Sequence, residues 1–96
     1  MKKIESLKHG YHFRRAYKRG NFAVTRNLVV YVHKNNLDTN RLGVTIKKAI
    51  GKSVVRNRLK RLIKENFRLL EPELKKGYDF VVVVRKNEKR LRSMLV

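Results

Sequence analysis

The 96-residue sequence predicts an α+β fold, a two-layer α/β sandwich of helices packed on one sheet. Three observations carry this prediction. Apolar residues recur at helical spacing around Tyr11–Arg19 and again from Ser53 to about Leu70. Residues 22–34 and 41–47 are rich in β-branched and aromatic side chains, and "YDFVVVVRK" after Gly77 is a short apolar run bounded by charge. The resulting order, helix–strand–strand–helix–strand with room for one more short strand, fits one small domain over residues 1–96.

Taken in order, residues 1–7 read as a loose basic lead-in. Phe13, Ala16 and Tyr17 share one side of the first helix, which Gly20 can end by adopting the left-handed conformation. "FAVTRNLVVYVHK" reads as one strand, and Asn35, Asn36, Asp38 and Asn40 then supply turn chemistry. In "RLGVTIK" the apolar residues Leu42, Val44 and Ile46 alternate with Gly43, Thr45 and Lys47, as in a half-buried strand. Ser53 is the expected N-cap of the long helix, and Pro72 forbids its easy continuation. That helix can act as a crossover between parallel neighbours, whose hand the residues do not set. The final strand has the composition of a central one, buried on both faces. Leu91, Met94 and Leu95 in the tail have near-helical spacing, the beginning of an incomplete C-terminal helix.

Charge narrows the function. Twenty-six Lys and Arg oppose seven Asp and Glu, a net of +19, yet 42% of the residues are hydrophobic, enough for a folded core. A compact domain so one-sided repels itself unless a polyanion neutralises it. Nucleic acid is the first candidate partner and an anionic membrane the second. The chain has no cysteine, so disulfides and thiolate metal sites are excluded. No apolar stretch follows the positive N-terminus, and the longest aliphatic run is Val81–Val84. A soluble cytoplasmic protein without a membrane partner is expected.

The long helix sorts its side chains by type. At ~100° per residue, Val55, Leu59, Leu62, Ile63, Phe67 and Leu70 form one stripe. Arg56, Asn57, Lys60, Arg61, Lys64 and Arg68 fall on an adjoining arc, with Arg58 on the far flank. A helix charged only for solubility mixes signs at four-residue spacing, whereas here Glu65 alone interrupts. Repulsion among Arg56, Lys60 and Lys64 makes sense if phosphates occupy that arc. Lys52, at the start of the helix, adds charge where backbone N–H groups are unpaired. Asn57 can hydrogen-bond a phosphate, a sugar or a base edge.

Phe13 and Tyr17 lie one helical turn apart among Arg14, Arg15, Lys18 and Arg19, and Tyr31 sits on the first long strand. Aromatics beside cations can stack unpaired bases. A Phe/Tyr pair at that spacing also serves as ordinary core, and both readings stay open on the residues alone. His9, His12 and His33 lack carboxylates at ligand spacing, so no metal site is expected. The scattered acids do not provide the convergent carboxylates that a two-metal nuclease needs, and no catalytic residue is assigned.

The stretch "GVTIKKAIGKSVVRNRLKRLIKENFR" closely resembles the signature of the bacterial ribonuclease P protein family, centred on an Arg-Asn-Arg helix. The likeness continues through "HFRRAYKRGNFAVTRNLVVYV" and "YDFVVVVRK", roughly residues 8–86. It implies a left-handed β-α-β crossover around residues 42–84. It also implies a protein subunit of the endoribonuclease that removes the 5′ leader from precursor tRNA, with hydrolysis performed by the RNA subunit and its Mg²⁺ ions. By position, Arg56, Asn57, Arg58, Lys60 and Arg61 would face that RNA, with Lys64 added by helical geometry. Lys47 and Lys48 match the basic pair before the Gly loop and would join Lys52 on the same RNA. Phe13, Tyr17 and Tyr31, with Arg14, would line the cleft for the single-stranded leader. The implied partners are the catalytic RNA and precursor tRNA, with no obligate protein partner. General RNA-binding modules and basic membrane-surface proteins are the competing classes.

Overall fold

A computed structural model of the chain describes residues 5–85. The expected C-terminal helix at 87–96 lies outside them. In chain order the elements are β1 (Glu5–Ser6), α1 (Gly10–Arg19), β2 (Asn21–Val24), β3 (Leu28–Lys34), β4 (Arg41–Ile46), α2 (Ser53–Leu70) and β5 (Tyr78–Val84). Single 3-10 turns cover Lys48–Ile50 and Glu71–Glu73.

The strands form one mixed sheet in the order β1-β4-β5-β3-β2. β4 runs parallel to β1 and β5, while β3 is antiparallel to β5 and β2. Thus α2 is a crossover between parallel neighbours, as its length allows. β5 is central, and its uninterrupted valines serve both faces. Val82 and Val84 pack with Leu42, Leu59 and Ile63 under α2, whereas Val81 packs with Leu7 and Ala16 under α1. The α+β class holds. The helices take opposite faces, however, so a two-layer description fits each helix with the sheet and not the three together.

Other expectations are corrected locally. Residues 22–34 are not one strand but the hairpin β2–β3, with Phe22 opposite Tyr31 and Val24 opposite Val29. The Thr25 hydroxyl donates to the Leu28 carbonyl and accepts from the Leu28 N–H, and Asn27 is fully buried in the turn. Those polar residues interrupt the β pattern and reverse the chain. The lead-in is partly ordered, since Glu5 and Ser6 pair with Arg41 and Leu42, and Leu7 enters the core. Ser53 is the first helical residue; Lys52 occupies the N-cap and makes no side-chain cap. Leu70 is exposed at the end of α2, off the buried stripe.

Gly20 ends α1 in extended backbone rather than left-handed. Its glycine is required by space, because a Cβ there would lie 2.5 Å from the Ala16 carbonyl oxygen and 2.9 Å from that of Val32. The Asn-rich turn does more than reverse the chain. Asn36 takes φ 62°, and Asn35 donates to Asp79 at 2.9 Å. Asp79 is buried, and Arg41 grips both its oxygens at 2.8 and 2.9 Å. This bidentate pair ties β4 to β5 at one end of the sheet.

Candidate nucleic-acid interface

Three surfaces carry the predicted site residues. The first is α2. Val55, Leu59, Ile63 and Phe67 turn inward to the sheet, and Leu62 is partly buried. Burying side chains of this kind contributes about 1.5–3 kcal/mol each, which holds the helix by one face and fixes what the other presents. Asn57, Arg58, Lys60, Arg61 and Lys64 are exposed, while Arg56 is half-buried. Among the described residues none of these cations forms an ion pair, and the buried Nε of Arg56 has no hydrogen-bond partner. Arg68 is set apart from the arc by its ion pair with Glu65.

The second surface is the end of the sheet where β4 and β5 finish and the β2–β3 turn lies. Lys47, Lys48 and Lys52 follow β4 into the N-terminus of α2, and all three are exposed. Two further exposed cations stand at this end, Arg26 in the turn and Arg85 just after β5. Arg85 is fixed there by donating to the Thr25 carbonyl at 3.1 Å. Sequence reasoning missed both, because only the strand order brings residues 26 and 85 beside 47 and 48. The N-terminus of α2, without a side-chain cap, opens on the same region.

The third surface lies on the α1 face of the sheet. Tyr17 meets Tyr31 edge to face with ring centroids 5.0 Å apart, and its hydroxyl shares a 3.1 Å hydrogen bond with that of Thr45. Tyr31 in turn meets Phe22 at 5.8 Å. Phe22 is 64% exposed and Tyr17 40%, so the row is open to solvent. Phe22 escaped the sequence reading because its neighbour depends on the hairpin register. Phe13 is half-buried against the α1-side core, its ring over Gly43, where a Cβ would lie 2.6 Å from Cε1. It forms the floor of this surface more than its rim. Arg14 is exposed, but its guanidinium folds back beside Gly10, towards the opposite end of α1 from Tyr17.

Between β1 and the start of α1 lies a cleft of about 440 Å³ lined by Glu5, Ser6, Lys8, His9, His12 and Arg41. Burial lowers the pKa of His12, and Arg41 adds to the effect while Asp79 opposes it. No group of three His, Cys, Asp or Glu able to hold a metal is found among the described residues. No described helix is long and apolar enough to cross a membrane.

The fold and these surfaces define a class: a small, strongly basic α+β protein with a cationic helix, a cationic sheet end and an open row of aromatic rings. The profile of the family described as Ribonuclease P matches residues 1–95. A ribonuclease P protein component from Clostridium botulinum (strain Langeland) is 49% identical over 84 residues, covering 86% of this chain and 76% of that one. That of C. botulinum strain Loch Maree is 44% identical over 100 residues, covering 98% and 90%. Among solved structures, the Staphylococcus aureus RNase P protein aligns with a TM-score of 0.85 at 32% identity, over 97% of this chain and 90% of that one. The Thermotoga maritima protein gives 0.78 at 36% identity, over 93% and 78%. The chain belongs to the ribonuclease P protein family.

Proposed function

We propose that this chain is the RNA-binding subunit that assists a catalytic RNA in removing the 5′ leader from precursor tRNA. The observation that carries the reading is the separation of two surfaces of different chemistry. The unpaired arc of Arg56, Asn57, Lys60, Arg61 and Lys64, with Arg58 on its flank, suits the phosphates of a structured RNA. Lys47, Lys48 and Lys52 continue that charge around the uncapped helix N-terminus. The open row of Tyr17 and Tyr31, floored by Phe13, suits unpaired bases, and a leader is single-stranded. Arg14 has a lesser part in this surface, because its guanidinium lies away from the row.

Hydrolysis belongs to the RNA partner and Mg²⁺ bound there. The protein's own task is to hold two RNA elements at once and so raise the effective concentration of substrate at the catalytic RNA. Such work belongs in the cytoplasm, where precursor tRNA is made.

The leader surface is tested by Tyr17→Ala, with the thermal unfolding of the variant measured alongside. Affinity of the assembled enzyme for precursor tRNA should fall by about 1–3 kcal/mol, and affinity for mature tRNA should not change. Equal losses for both RNAs would remove the leader from this surface.

A further inference from the structure

We propose that Phe22 is an additional base-stacking position, extending the Tyr17–Tyr31 row to the outer edge of the sheet. This rests on the leader-binding reading above and adds to it a position for one more unpaired nucleotide.

β2 is the outermost strand, with β3 on one side and no strand on the other among the described residues. Edge strands are commonly protected by charge or proline, yet every residue of Asn21–Val24 is exposed and the strand offers Phe22, Ala23 and Val24. Phe22 has no polar tip, so hydrogen bonding gives no reason for a ring that is 64% in water. Its contact with Tyr31 is tilted by 43° with centroids 5.8 Å apart, so the two rings do not form a parallel stack.

Register explains the placement. Phe22 and Tyr31 are directly opposed partners and therefore point to the same face, where α1 carries Tyr17. Three rings thus follow one another from α1 across β3 to β2. Stacking on such rings is tolerant of base identity, because every base has a π-face. Arg19 and Arg26, exposed on either side of β2 in the chain, supply cations for a backbone. A strand of unpaired RNA is the occupant that this combination fits; the bland reading is a cross-strand ring pair that only steadies the hairpin.

The test uses the protein assembled with a ribonuclease P RNA, mature tRNA and precursor tRNAs with leaders of increasing length. Phe22→Leu keeps an apolar side chain but removes the π-face. It should weaken binding of long-leader substrate at least about fivefold, leaving mature tRNA and the shortest leaders unaffected. The chain contains no Trp, so Phe22→Trp introduces a single reporter. Its fluorescence should be quenched by long-leader precursor and not by mature tRNA. Quenching decides the matter if the Leu variant proves unstable. Tyr31→Leu separates the two readings. A leader-specific loss there with none at residue 22, and no quenching, overturns the stacking position and leaves leader binding intact. No leader-specific loss at either residue overturns both.

Discussion

Gly43 and His12 show how closely single residues on the α1 side are fitted. An added methyl at Gly43 meets the Phe13 ring at 2.6 Å and Leu7 Cδ1 at 3.0 Å. Gly43→Ala should therefore lower stability by about 1–3 kcal/mol in urea unfolding, and an unchanged midpoint would show that the ring is not seated there. His12 is buried beside the Arg41–Asp79 pair, and its Nδ1 lacks a hydrogen-bond partner. Burial and Arg41 hold its pKa below the ordinary 6.5, with His9 and Arg15 adding smaller contributions and Asp79 opposing. As pH falls through 6.5 the unfolded chain takes up this proton while the folded one still refuses it. Stability should fall in that window and level off once the folded imidazole also protonates. His12→Gln should flatten the slope, and an equal slope in both proteins would assign it elsewhere. Neither feature was legible from residue type. Phe13 at helical spacing to Tyr17 suited core or stacking, and Gly43 looked like any polar-face position of an alternating strand.

At the scale of elements, α2 was the most legible part of the molecule. Its length and wheel follow from periodicity alone, and Pro72 falls in the 3-10 turn that ends it. The one-sided charge of the wheel survives folding because the apolar stripe fixes its rotation. Replacing Arg56, Lys60 and Lys64 together by Ala should weaken binding to the RNA subunit and flatten its salt dependence. The expected change is up to about one slope unit per lost phosphate contact. An unchanged slope would mean that this arc is not the phosphate face. The hairpin was not legible, because β-propensity runs on through Phe22–Lys34 and the reversal rests on hydrogen bonds between Thr25 and Leu28 around the buried Asn27, which form only on folding. With the hairpin hidden, so was the opposition of Phe22 to Tyr31. Both helix boundaries at glycine or serine were read from capping habits, whereas close approach governs Gly20 and Lys52 takes the cap.

For the whole molecule, composition pointed to a polyanion, and strand order then decided how its charge is shared. The crossover from β4 through α2 to β5 gathers residues 26, 47, 48, 52 and 85 at one end of the sheet. That end lies between the aromatic row on the α1 face and the cationic arc on the α2 side. On the function proposed above, a single molecule would hold the leader on one side of that end and the catalytic RNA on the other. Opposite-face packing makes this possible, since helices sharing one face would have put both surfaces on one layer. The most direct measurement is cleavage of precursor tRNA at low Mg²⁺ by a bacterial ribonuclease P RNA, alone and with this protein added. The proposed function requires little cleavage by RNA alone and a clear gain with the protein, reduced by the triple α2 variant. Equal cleavage with and without the protein would contradict it.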